Sequence, residues 1–171
     1  MGKDLTLFDF PFKIRVKGLF DFAGLLKFVH DWLADNKFEY HETRYKDKLD
    51  TAFGTEAEID AYGEKKLSEY YQLFIYVNYH FWESRDVQVV IDGKTVKRMQ
   101  GRLEVRLNAR LLTDWQKRFG KTALTRFFGM FLDDVVLKKE RELLYVDVNE
   151  NFLLSFNDEI KKFLKVEMQS T

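Results

Sequence analysis

Apolar and polar residues alternate with two different periods along this chain, and the change of period marks out its elements. From Phe12 to Phe20 the period is two. Phe12, Ile14, Val16 and Gly18 fall on one side and Lys13, Arg15 and Lys17 on the other, which is the pattern of a half-buried strand. Asp21 then stands where a helix N-cap belongs. Phe22, Leu25, Leu26, Val29, Trp32 and Leu33 follow at the i, i+3, i+4, i+7 spacing of an amphipathic helix that should stop near Asn36. Phe38 to Lys46 reads as a second strand and Asp47 to Thr55 as a turn or loop containing Gly54. Glu56 to Tyr62 sets Glu56, Glu58 and Asp60 against Ala57, Ile59 and Ala61, giving a strand with one acidic face. Residues 1–11 form a lead-in ended by Pro11, and Gly63 to Glu69 a polar connection.

The stretch from Tyr70 to Trp82 breaks the alternation, because both of its faces are apolar. Tyr71, Leu73, Ile75, Val77, Tyr79 and Phe81 take one side; Tyr70, Phe74, Tyr76 and Trp82 take most of the other. A strand of this kind is expected to be covered on both sides or to line a pocket. Val87 to Ile91, the turn pair Asp92-Gly93 and Lys94 to Met99 form a hairpin, for which Asp-Gly is a favoured turn. Gly101 marks a bulge or bend. Strict alternation then runs from Arg102 to Leu112.

The last third carries a helical period. Phe119, Leu124, Phe127, Phe128, Phe131, Leu132, Val135 and Val136 share one wide apolar face. Leu144, Val148, Phe152, Phe156, Ile160, Phe163 and Leu164 share another, with a break between Leu137 and Glu142. Tyr145 to Val148 is open to a short-strand reading. The order is strand, helix, antiparallel strands, then helix, without the strand–helix alternation of a parallel sheet. The expected fold is therefore α+β, in one domain over residues 1–171. A curved antiparallel sheet of about five to six strands packs on a long C-terminal helical region, with one short helix after the first strand.

This order, with the aromatic strand Tyr70–Trp82 and the Phe-rich helix from Phe119, resembles the START-like helix-grip superfamily. That resemblance implies an apolar cavity enclosed between sheet and helix. The family's pattern ends on its long helix, whereas this chain continues through a second helical stretch to Glu167.

The totals narrow the chemistry. Lys plus Arg and Asp plus Glu number 28 each, so no global field draws the protein to nucleic acid or anionic lipid, and such binding needs a local patch. There is no Cys, which removes disulfides, thiolate nucleophiles and Cys-based metal sites. No run approaches the roughly 18 apolar residues of a membrane helix, and the N-terminus lacks the apolar core of a secretory signal, so the cytoplasm is the expected location.

His30, His41 and His80 are the only histidines. His41 and His80 fall on strands with Glu42 or Glu83 near, but no spacing enforces convergence on an ion, and no metal or cofactor is expected. No serine lies in a nucleophile motif. Gly120-Lys121-Thr122 copies the end of a phosphate loop, but position 115, where the earlier glycine is required, is Trp.

Two features carry a function. Tyr70, Phe74, Tyr76, Tyr79 and Trp82, with Phe127 and Phe131, are candidate contacts for a hydrophobic small molecule or protein segment, against a default of plain core packing. This gives the first expectation, a non-enzymatic binding or interaction domain. Arg102, Arg106 and Arg110 stand on one strand face about 13 Å apart, with Arg98 on the adjoining arm. They are the candidate contacts for the alternative, RNA or single-stranded nucleic acid, unless neutralised by acids such as Glu56, Glu58 and Asp60. A small enzyme working in a cavity is a third reading.

Overall fold

The computed structural model describes residues 4–7, 11–51, 54–91, 93–117, 122–131 and 147–169. Six strands, β1 (Asp4–Thr6), β2 (Phe12–Phe20), β3 (Glu39–Thr51), β4 (Gly54–Lys66), β5 (Tyr71–Ile91) and β6 (Lys94–Thr113), form one antiparallel sheet. Helix α1 (Phe22–Asp35) follows β2, and α2 (Ala123–Phe131) and α3 (Asp147–Gln169) follow the sheet. The fold class is α+β. Strands β3 to β6 form a meander, and the outer edge of β6 takes β1 at Leu112–Arg110 and β2 at Leu107–Met99. Among the described residues, no helix is long and apolar enough to cross a membrane.

α1 forms where the apolar stripe predicts. The Asp21 carboxylate accepts from the Gly24 N–H at 2.9 Å, satisfying one of the free donors of the first turn. Leu25, Val29 and Leu33 are fully buried. They meet Ile75, Val77 and Tyr79 of β5, Leu103, Val105 and Leu107 of β6, and Leu153, Phe156 and Ile160 of α3 in one core. Trp32 stacks on Phe156 at 4.0 Å between ring centres and Phe28 on Phe163 at 5.2 Å, tying the two helices together over the same side of the sheet. The helical layer is thus shared between α1 and α3.

β3 and β4 run much further than their local patterns indicate. The segment read as a loop from Asp47 is strand to Thr51, held by pairing to β4, and β4 continues through Gly63 to Lys66. The reason is non-local: a polar strand is satisfied by its neighbour's backbone whatever its own apolar period. β5 likewise continues through Glu83–Asp86 to Ile91, and its last residues and the start of β6 pair only with each other.

The irregularity expected at Gly101 lies on the facing strand. Between Trp82 and Arg85 the register shifts, so that two residues of β5 oppose one of β6, and Glu83 adopts a φ of 53°. A Cβ on Gly101 would stand 2.8 Å from Ser84 Cα and 2.9 Å from the Trp82 carbonyl oxygen. Glycine is required there by the approach of the bulged backbone. Of the C-terminal expectations, the break between Leu137 and Glu142 lies outside the described residues, whereas Asp147 and Val148 open α3 rather than a strand.

Candidate functional site: the open face of the sheet

The pleat sends alternate residues of each strand to opposite sides. One side carries the core under α1 and α3. Antiparallel register arranges the other side into cross-strand rows. Lys17, Arg102 and Trp82 form the first; Arg15, Glu104, His80 and Glu58 the second; Lys13, Arg106, Asn78 and Asp60 the third. Asn108, Tyr76, Tyr62 and His41 form the fourth, and Arg110, Phe74, Glu64 and Glu39 the fifth. The result is a cationic ridge on β2 and β6, an aromatic band centred on β5, and an acidic flank on β4.

Glu104 organises the ridge. Its side chain is 2% exposed and accepts from Arg15 Nε and Arg106 Nε, each at 2.5 Å. Burial pushes its carboxyl pKa up, but the hydrogen bonds and charges of the two guanidinium groups outweigh that and hold it below its ordinary value. The arginines stay at the surface, with Arg15 72% exposed. Arg102 pairs with Glu83 at 2.5 Å. Arg15, Arg102, Glu104 and Arg106, with Lys17 and Trp82, line an open groove of about 470 Å³.

Along the band, Phe74 stacks on Tyr76 at 6.3 Å, with Tyr62 tilted against both. The Arg110 guanidinium lies 5.2 Å from the centre of the Tyr76 ring, within cation–π range. His80 lies 4.0 Å from Trp82 and meets Glu56 at 2.9 Å. On the acidic flank, Asn78 donates to Glu58 at 2.9 Å and to Asp60 at 2.6 Å.

The sequence candidates divide between the two sides. Phe74, Tyr76 and Trp82 lie on the open face, with Tyr76 37% exposed, and no helix of the described residues covers them in the way a doubly apolar strand suggests. Their neighbours in the sheet shield them in part. Tyr79 is fully buried towards the helices, edge-on to Phe22 at 5.8 Å. Tyr70 precedes β5 and meets Tyr71. Phe127 and Phe131 lie on α2, 65% and 47% exposed, at the surface rather than inside a chamber.

Of the arginines, Arg102, Arg106 and Arg110 share the open face. Arg98 turns to Asp21 at the start of α1, 3.3 Å away, and stands apart from them. The carboxylates found beside Arg102 and Arg106 are Glu83 and Glu104, whereas Glu56, Glu58 and Asp60 meet His80 and Asn78 one strand further away. His41 and His80 do not converge: β4 lies between their strands. The contribution of Lys13, Arg15 and Lys17 was written in their alternation, but only the pairing of β2 with β6 brings them beside Arg102 and Arg106.

On the core side, the Tyr79 hydroxyl has no hydrogen-bond partner among the described residues. Burial, then the nearby Tyr40 and Glu42, push its pKa far up. Tyr40 is raised too, by burial first and then by Glu42, to which its hydroxyl donates at 3.3 Å. No protein family and no curated protein matches this chain.

Proposed function

We propose that this protein is a binding module for single-stranded nucleic acid, taken along the open face of the sheet. The observation that carries this reading is the junction at Trp82. There an indole ring borders a groove walled by Arg15, Lys17, Arg102 and Arg106, so a phosphate chain on the ridge can lay bases on the band. Lys13, Arg15, Lys17, Arg102, Arg106 and Arg110 oppose a single buried carboxylate, Glu104, along the two strands. A local field of this kind attracts a polyanion even though the whole chain is neutral.

Single-strand binding of this sort depends on salt, with a slope of about −0.7 per phosphate neutralised. The test is fluorescence anisotropy of labelled oligouridylate and oligothymidylate over a salt series. The Arg102→Ser/Arg106→Ser/Arg110→Ser variant is expected to lose binding and its salt dependence. Trp82→Ala is expected to weaken binding by about tenfold without changing the slope, since one stacked base is worth about 1–3 kcal/mol. No binding by the native chain at low salt rules the reading out.

A second reading keeps the resemblance to the helix-grip superfamily: a curved sheet that grips its C-terminal helix around a hydrophobic ligand. The Tyr79 hydroxyl, buried between sheet and helices without a partner among the described residues, favours it, since a buried donor of that kind suits a ligand's polar end. Mass spectrometry of organic extracts of the purified protein separates the two readings. A stoichiometric co-purified lipid supports this one, and its absence together with oligonucleotide binding supports the first.

A further inference from the structure

At the β3–β4 corner of the open face, away from the cationic ridge, we propose a binding site for a divalent first-row transition metal, formed by Glu39, His41 and Glu64. Register places Glu39 directly opposite Glu64 and His41 opposite Tyr62. Glu39 and His41, two residues apart on one strand, share a side. The imidazole nitrogen and one carboxylate oxygen from each glutamate all lie within 4.8 Å of one another, with His41 Nε2 3.9 Å from Glu39 Oε1.

Two independent features point to a cation there. Facing carboxylates on adjacent strands repel, and among the described residues neither Glu39 nor Glu64 forms an ion pair with Lys or Arg. In addition, His41 Nε2 is shielded from solvent and has no hydrogen-bond partner among the described residues. A polar atom shielded in this way is left unsatisfied unless something binds it. A metal ion answers both, taking the imidazole lone pair and neutralising the carboxylates.

The surroundings hold the ligands in place. The His41 ring stacks on Tyr62 at 4.9 Å and 28°, which fixes its plane. Gln72 donates to Glu64 Oε2 at 3.3 Å, leaving Oε1 for the ion, in the manner of an outer hydrogen bond that orients a metal ligand. Ligand atoms at 2.0–2.2 Å from one tetrahedral ion stand about 3.3–3.6 Å apart. Rotation of the two glutamate termini closes the remaining gap of about 1 Å. The imidazole selects against Mg²⁺ and Ca²⁺, which prefer oxygen alone, and favours Zn²⁺, Co²⁺ or Ni²⁺. Three protein ligands leave a coordination position for water or an outside ligand.

Isothermal titration of the full chain with ZnCl₂, and the visible ligand-field spectrum with CoCl₂, test this directly. One equivalent is expected to bind. His41→Ala and Glu64→Gln should each weaken binding by more than about a hundredfold, above the 10–100-fold range of outer-partner losses, while His80→Gln binds as the native chain does. Glu39→Gln alters an exposed side chain, so it reports on the site even where the other two variants fail to fold. The proposal is overturned if the native chain takes up no Zn²⁺, or if Glu39→Gln, His41→Ala and Glu64→Gln bind it with native affinity.

Discussion

Replacing Glu104 by Gln separates what the cationic ridge does for the fold from what it does for a ligand. Glutamine keeps the shape and one acceptor oxygen but removes the buried charge between Arg15 and Arg106. Hydrogen bonds to a charged group contribute about 1.5–3 kcal/mol each. Arg15 is 72% exposed and its charge largely hydrated, so the combined loss is discounted to about 1–2 kcal/mol. For a chain of this size that corresponds to a fall in Tm of about 2–8 °C at pH 7. The pH dependence has a fixed sign. Because folding lowers the Glu104 pKa, its contribution is complete above the ordinary value of 4.5 and is lost as pH falls through the lowered folded value. The gap between native and variant melting curves should therefore be full at pH 7 and close at lower pH. Binding should move the other way: with the carboxylate gone, both guanidinium groups are released to phosphate, so oligonucleotide affinity rises at low salt and the salt slope steepens. Calorimetry and anisotropy read the two effects separately. Native stability of Glu104→Gln at pH 7 refutes the structural role. Weaker oligonucleotide binding by a folded variant refutes the ridge.

Two further substitutions probe the frame beneath the site. Gly101→Ala pushes a Cβ into the bulged backbone of β5 at 2.8 Å, where no flexible side chain can yield, and should destabilise by about 2–3 kcal/mol in urea unfolding; a loss under 0.5 kcal/mol would show that the close approach relaxes freely. Phe156→Ala empties the centre of the helix-to-sheet core and leaves Trp32 without its stacking partner, so a loss of about 3–5 kcal/mol is expected by the same measurement.

The parts of the fold legible in the sequence are those whose burial follows a local period. α1 announces itself through Leu25, Val29 and Leu33 beneath an Asp21 cap, and β2 through Ile14 between Lys13 and Arg15. β3 beyond Lys46 has no such period, and only the pairing of its backbone with β4 makes it a strand. β5 shows the limit on the functional side. Its two apolar faces are plain in the residues, but which face meets helices is decided by α1 and α3, far away in sequence. That choice turned Tyr79 inwards and left Phe74, Tyr76 and Trp82 outside. The arginine row was visible in its spacing, but the neighbouring basic row on β2 and the tie through Glu104 depend on a strand pairing that no local pattern encodes. Glu39 and Glu64, 25 positions apart, face each other for the same reason.

The proposed ligand surface is the open face of the sheet. Side-chain and amide NMR spectra, recorded while oligouridylate is titrated at low salt, test it most directly. The Trp82 indole, the Tyr76 ring and the guanidinium signals of Arg15, Arg102 and Arg106 should shift together and saturate, while Leu25, Val29 and Ile160 under the helices stay in place. Shifts confined to α1 and α3, or none at all, would contradict it.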